Sequence, residues 1–178
     1  AVIDATAEEF GMPMGPVELA DTVGLDVALH VGRILGEAFG LPVPDKLNQM
    51  VEKRNLGRKT GEGFYVYQDG KAVKPEAGDY TAPPDLCDRL ILPLLNQVAA
   101  CLREGVVEDA DLADAGVIFG TGFAPFTGGP LHYARKRGIS DVVATMQRLA
   151  KSHGDRFLPD AGWDQLAGDA DAAKRNDD

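Results

Sequence analysis

One element of this sequence occurs twice, and that repeat constrains the chain more than any other feature. Phe10-Gly11-Met12-Pro13-Met14-Gly15-Pro16 leads into a short apolar stretch that runs to Gly24. Much later, Phe119-Gly120-Thr121-Gly122-Phe123-Ala124-Pro125-Phe126-Thr127-Gly128-Gly129-Pro130 leads into a stretch of the same length that runs to Gly138. Pro16 and Pro130, Ala20 and Ala134, and Gly24 and Gly138 keep one offset. Self-similarity of this kind means that one supersecondary unit has been used twice.

A chain of 178 residues holds one ordinary domain or two small ones. At this size it can bury roughly 70% of its unfolded surface. No apolar run reaches the length of about 18 residues that reads as a membrane span. The first residues carry acids and lack a basic n-region, so they do not read as a signal peptide. Ala1, in place of Met, opens a stretch that reads as the end of a helix, so a fragment of a longer polypeptide is expected.

The net charge of −10 argues against nucleic acid, which calls for a basic stripe that displaces counterions from phosphates. Basic residues are local: Lys53, Arg54, Arg58 and Lys59 in one place, Arg135, Lys136 and Arg137 in another. Cys87 and Cys101 fall on one predicted helix, about 20 Å apart at 1.5 Å per residue, and cannot pair there. A reducing compartment, taken as the cytoplasm, is expected.

The rest of the pattern is mostly helical. Gly and Pro residues stop a first helical end at Phe10, and Pro16 suits the first position of a short helix that ends at Gly24. Asp26 is placed as the cap of the next helix, whose face is Val27, Leu29, His30, Ile34, Leu35 and Ala38, with Gly40 as its stop. Asp45 is expected to cap residues 46–54. Phe64-Tyr65-Val66-Tyr67, then Asp69-Gly70 and Lys71-Ala72-Val73, reads as a small β-hairpin with a type I′ turn. A Pro/Gly/Asp-rich linker covers 75–84.

The longest helix is predicted at about 85–104, with Leu90, Ile91, Leu94, Leu95, Val98 and Leu102 on its apolar face. Pro93 within it predicts a kink or a restart. Further helices are expected at 109–119, 129–137 and 141–152, the last capped by Ser140. The tail from Gly168 is small, polar and charged, and reads as disordered. The first repeat has no counterpart of the 85–104 helix. An uncovered apolar groove around Met12, Met14, Val17 and Leu29, with a tendency to self-association, is therefore expected.

No catalytic centre emerges from spacing. Gly57-Arg58-Lys59-Thr60-Gly61-Glu62-Gly63 has Lys-Thr too early for a phosphate loop and leads into a strand rather than a helix. It reads as a turn that redirects the chain. Lys53, Arg54, Arg58 and Lys59 fit two readings, an anion patch near Lys59 or cations that complement a helix C-terminus. His30, His132 and His153 each fit a structural place, His30 with Asp26 four residues before it on a helix surface. Neither His-Glu-x-x-His nor Cys-x-x-Cys spacing is present, so no metal site is expected.

A resemblance supplies what spacing does not. The segment from Phe10 to Asp26 resembles the signature of the C-terminal domain of 3-hydroxyacyl-CoA dehydrogenases. Leu56-Gly-Arg-Lys-Thr-Gly-Glu-Gly-Phe-Tyr-Val-Tyr67 resembles the segment that closes that domain. Gly120-Thr-Gly-Phe-Ala-Pro-Phe-Thr-Gly-Gly-Pro130 is similar to the last repeat of the multifunctional fatty-acid oxidation enzymes. The resemblance covers roughly residues 1 to 167.

It implies an all-α fold of two tandem repeats of the helical domain seen at the C-terminus of 6-phosphogluconate dehydrogenase, with one small β-hairpin. The repeats would occupy 1–74, truncated at its N-terminus, and 85–167, with 75–84 as linker and 168–178 as a disordered tail. Hydride chemistry would belong to an upstream Rossmann domain that holds NAD and a His–Glu pair, none of which maps onto this chain. Cys87-Asp88-Arg89 stands roughly where the family has a substrate-binding Val-Asn-Arg, with Asp in place of Asn. The Pro13-Met14-Gly15-Pro16 loop would lie near the acyl pocket, so these four are candidate substrate-lining residues; a helix-entry loop that packs on its neighbour fits equally.

In single-repeat relatives this domain forms the homodimer, and two fused copies can satisfy the same faces within one chain. The implied function is the substrate-side and assembly portion of an NAD-dependent 3-hydroxyacyl-CoA dehydrogenase of β-oxidation, with an acyl-CoA substrate and a thiolase subunit as partners. The alternative is a non-catalytic acyl-CoA-binding or protein-interaction module.

Overall fold

The computed structural model describes residues 1–75 and 81–168. Residues 76–80 of the expected linker and 169–178 of the expected tail lie outside the described residues. The chain divides into two compact units, one of Ala1–Glu9 with Met14–Pro83, the other of Phe10–Pro13 with the chain from Pro84 onward.

In the first unit, helices α1 (Val2–Phe10), α2 (Pro16–Val23), α3 (Leu25–Phe39) and α4 (Asp45–Glu52) precede a 3₁₀ turn at Arg58–Thr60 and a hairpin of β1 (Val66–Gln68) and β2 (Lys71–Val73). The hairpin is antiparallel, with Val66 opposite Val73 and Gln68 opposite Lys71. Asp69 and Gly70 have φ of 50° and 74°, the two left-handed residues that a type I′ turn requires. A single residue, Gly24, joins α2 to α3 at φ 110°, a backbone that a side chain would strain. Buried apolar residues are few here: Ala7, Leu25, Leu29 and Tyr65. Lys74 clips the hairpin's end to both Glu8 and Glu18, at 2.6 and 2.7 Å.

The second unit has α5 (Leu86–Arg103), α6 (Ala110–Thr121), a 3₁₀ turn at Pro125–Thr127, α7 (Pro130–Arg137), α8 (Ile139–His153) and a 3₁₀ turn at Asp155–Phe157. It holds the extended apolar core, with Leu92, Leu95 and Ala99 of α5 against Phe123, Leu131, Val142, Met146, Phe157 and Trp163. Phe10 adds edge-on ring contacts to Phe123 and Tyr133, with centroids 5.5 and 5.3 Å apart. Asn96 closes the C-terminal segment. Its side chain accepts from Asp160 N and Trp163 Nε1, each at 2.8 Å, and donates to Leu158 O.

The helical architecture, the hairpin and its turn, and Gly40 as the stop of α3 follow the sequence reading; the N-terminal caps do not. α3 begins at Leu25 with Gly24 ahead of it, so Asp26 lies inside the first turn and its carboxylate goes to Lys59. Ser140 sits one residue inside α8, which starts at Ile139 behind Gly138. Asp45 is the first residue of α4, behind Pro44, and contributes no side-chain cap. In each case the chain enters the helix from a glycine or proline, which leaves the first-turn acid free to act on the macrodipole or on a distant cation. Pro93 neither breaks nor restarts α5, which runs unbroken through it. The groove expected around Met12, Met14, Val17 and Leu29 is also displaced. Leu29 is buried and the other three are half-buried. The exposed large apolar side chains of α2 and α3 are Leu19, Val23, Val27, Val31, Ile34, Leu35 and Phe39.

Candidate functional site

The sequence singled out the loop before α2, and its geometry starts from a buried aspartate. Asp4 of α1 is fully buried and points at the N-terminus of α2. Its two oxygens accept from the backbone N–H groups of Val17 and Glu18, at 2.8 and 3.0 Å. Helix N-termini carry unpaired donors and partial positive charge, so a carboxylate from a neighbouring helix completes α2. Gly15 makes the approach possible, since a Cβ there would fall 2.1–2.3 Å from the Asp4 side chain. Pro16 takes the first helical position, where no N–H is needed.

Tyr65 closes the same centre, donating its hydroxyl to Asp4 at 2.8 Å. Burial, then that acceptor carboxylate, push its phenol well above the usual range. Asp21, also fully buried, accepts from the N–H groups of Phe64 and Tyr65, both at 2.9 Å, and so places the tyrosine. The glycine-rich segment exists for this approach. A Cβ on Gly57 would lie 2.2 Å from the Asp21 carbonyl oxygen, and one on Gly63 would lie 2.2 Å from its carboxylate. Thr60 ties the turn by accepting from Leu56 N at 2.9 Å. Lys59 is engaged by Asp26 at 2.5 Å, so its charge serves a turn-to-helix ion pair, and Lys59 holds the Asp26 carboxyl below the usual carboxylate range.

The second repeat builds the same device. Asp114 of α6, 4% exposed, accepts from Leu131 N and His132 N, at 2.6 and 2.9 Å, at the start of α7. Gly129 admits it, since a Cβ there would fall 2.4 Å from the Asp114 Cβ. Burial pushes the Asp114 carboxyl above the usual range, against the pull of the two amides. The duplicated Gly-Pro dipeptide therefore marks a helix start completed by an aspartate from the preceding helix. Reading the sequence missed Asp4, Asp21, Asp114 and Tyr65. The usable signal was an aspartate on the helix before each Gly-Pro.

Of the four candidate substrate-lining residues, Gly15 is buried and Pro16 exposed, and both serve the helix start. Met14 is half-buried, its sulfur 3.9 Å from the Thr22 hydroxyl. Pro13 is exposed and groups with the second unit, where its ring lies 2.9 Å from where a Gly122 Cβ would stand. The N-termini of α2 and α7 are already filled by carboxylates, which leaves no room there for a phosphate.

His30 and His132 are exposed on their helices. His153 lies 2.9 Å from Asp85 and edge-on to Phe157, and it pulls the Asp85 carboxyl below its usual range. That pair ties the end of α8 to the start of α5. Asp88 is engaged by Arg137 through both carboxylate oxygens, so the residue at the Val-Asn-Arg position is committed to an ion pair. Among the described residues no group of three or more His, Cys, Asp or Glu side chains could hold a metal ion.

Residues 1–67 match the family described as "3-hydroxyacyl-CoA dehydrogenase, C-terminal domain". The chain is 36% identical to the fatty acid oxidation complex subunit alpha of Vibrio cholerae, with 93% of this chain and 25% of that protein covered. The protein of the same name from Idiomarina loihiensis is 34% identical, with 88% and 24% covered. The chain thus spans about a quarter of the length of these curated relatives. Among solved structures, 3-hydroxybutyryl-CoA dehydrogenase of Escherichia coli shares the fold at a TM-score of 0.72 and 19% identity, covering 97% of this chain and 55% of that one. The dehydrogenase part of multifunctional enzyme 1 from C. elegans gives 0.63 at 19%, covering 93% and 41%.

Proposed function

We propose that this chain, whose residues 1–67 belong to the 3-hydroxyacyl-CoA dehydrogenase C-terminal domain family, is the substrate-side and assembly portion of an NAD-dependent 3-hydroxyacyl-CoA dehydrogenase of fatty-acid β-oxidation. The parent reaction oxidises a 3-hydroxyacyl-CoA to the 3-ketoacyl-CoA. The observation that carries the reading is the 36% identity, sustained over 93% of the chain, to an alpha subunit of a fatty acid oxidation complex.

The residues present do not fit NAD. Among the described residues the strands form one two-stranded antiparallel hairpin, which lacks the parallel βαβ crevice that seats a dinucleotide. NAD and the hydride transfer therefore belong, in this reading, to an upstream Rossmann domain of the parent. Met14 supplies apolar wall to the acyl end of the substrate, and the Asp4–Gly15–Tyr65 centre holds the helix start beside it. A thiolase subunit as partner and a cytoplasmic setting complete the proposal; among the described residues no helix is long and apolar enough to cross a membrane. A non-catalytic acyl-CoA-binding or protein-interaction module is the second reading, favoured by the exposed apolar side chains of α2 and α3.

NADH-linked turnover of acetoacetyl-CoA tests the proposal, assayed on this chain and on the full polypeptide that carries it. Turnover by the full polypeptide and none by this chain is expected. Turnover by this chain alone would place the hydride chemistry here, and none by the full polypeptide would favour the non-catalytic module.

A further inference from the structure

The second unit carries an open cleft of about 270 Å³ between the 3₁₀ turn Pro125–Thr127 and α7, lined by Phe126, Thr127, Tyr133, Lys136 and Arg137. Tyr133, Lys136 and Arg137 are three and four residues apart, so they share one face of α7. The walls are held in place. Thr127 Oγ1 donates to Ala124 O at 2.6 Å, and Gly128 N donates to Pro125 O at 3.1 Å, which fixes the turn. One edge of the Phe126 ring rests on Gly11, where a Cβ would fall 2.4 Å from it, yet the side chain is 78% exposed. Phe10 holds Tyr133 edge-on, with ring centroids 5.3 Å apart. Arg137 is spent on Asp88 and Asp141. Lys136 is exposed and enters no ion pair among the described residues.

The shared fold does not call for this lining. α2, Gly24 and α3 have the same lengths as α7, Gly138 and α8, so their residues correspond one to one. Counted from the paired Gly-Pro dipeptides, Phe126, Tyr133, Lys136 and Arg137 stand where the first repeat has Met12, Leu19, Thr22 and Val23. The repeat folds with either set, so an open aromatic face beside an unpaired cation is not a demand of packing. We propose that this cleft binds a nucleoside phosphate, its base stacked on the exposed face of Phe126 and its phosphate paired with Lys136. Every base offers a π-face to an aromatic side chain. A lysine ammonium meets phosphate as a point charge and needs no fixed fork. The volume falls below the range of about 300–1,000 Å³ that encloses larger ligands, which suits a single nucleotide rather than a dinucleotide. A turn already fixed in place lowers the cost of ordering the site.

Calorimetric titration of the chain with adenosine 5′-monophosphate tests the proposal, beside adenosine, inorganic phosphate and coenzyme A. The mononucleotide is expected to bind about tenfold more tightly than adenosine, with inorganic phosphate weaker still. Phe126→Leu, which keeps apolar bulk and removes the ring, should weaken the mononucleotide about tenfold. Lys136→Gln should weaken it to the level of adenosine, and Phe126→Trp should preserve it. Phe126 and Lys136 are both exposed, so unchanged melting curves should accompany these variants. Tighter binding of coenzyme A would assign the site to the nucleotide end of a coenzyme, and equal binding to a free nucleotide; both support the proposal. It is overturned if the mononucleotide does not bind, or if Phe126→Leu leaves its affinity unchanged. Inorganic phosphate that binds as tightly as the mononucleotide would reduce the site to a bare cation and overturn the stacking likewise. No turnover enters this test, so its failure is separate from failure of the dehydrogenase reading.

Discussion

Tyr65 donates its hydroxyl to Asp4 across 61 residues of chain, at 2.8 Å, in a centre where both side chains are buried. The bond joins the lead-in to the hairpin to the first helix, in a unit whose buried apolar residues are few. Removing the hydroxyl by Tyr65→Phe leaves Asp4 with its two amide donors and costs about 1–2 kcal/mol. Asp4→Ala strands the Val17 and Glu18 amides and the hydroxyl together, and costs about 3 kcal/mol or more. Hydrogen exchange of the α2 amides reads both losses, and equal effects of the two variants would contradict the shared role.

Gly15 has an ordinary φ of −72°, so Gly15→Ala brings no backbone strain and acts only by pushing Asp4 aside. Its cost should approach that of Asp4→Ala, and the two should be strongly non-additive, with a coupling of about 1–3 kcal/mol. A double-mutant cycle by denaturant unfolding measures this; additive losses would mean that Gly15 serves something else.

Asp114→Ala in the second repeat should lower the unfolding midpoint followed by the fluorescence of Trp163, the chain's single tryptophan, which is buried in that unit's core. The expected loss is about 2–4 kcal/mol, for two buried amides left without an acceptor. Asp114→Asn, which keeps one acceptor oxygen, should recover part of it.

Arg103, through a two-point ion pair, holds the Asp160 carboxyl below the usual carboxylate range. A lowered folded-state value means that the contribution is fully present above the ordinary carboxylate range and is lost as pH falls through the lowered value. Solvent screening keeps it small. Arg103→Met should therefore reduce stability near neutral pH and flatten its decline below pH of about 4, as followed by Trp163 fluorescence. An unchanged acid limb would exclude the pair as its source.

Under the proposed function, Met14→Ala in a polypeptide that carries this chain and the dehydrogenase activity should reduce kcat/KM for long-chain 3-hydroxyacyl-CoA by about tenfold, the scale of a few lost methylene contacts, with little effect on the shortest substrates. Uniform loss across chain lengths would instead make the loop a purely structural helix entry.

The sequence by itself determined the repeat, the helical architecture, the hairpin and the family resemblance of residues 1–67, because these rest on local signals. Gly-Pro starts, single-glycine joints and Asp-Gly turns restrict the backbone wherever they occur. The tertiary structure alone decided why the repeat takes the form it has. Asp4, Asp21 and Asp114 look like ordinary surface acids in a chain of net charge −10, and only packing buries them against the amides of a distant segment. Asp26 and Ser140 were misplaced as caps for the converse reason, since local propensity names a capping residue but cannot see that a glycine has already set the entry to the helix. The same holds for Val23 and Arg137. Each is unremarkable in its own helix, and only the superposable lengths of the two repeats set an apolar side chain and a bound cation on the same point of two surfaces.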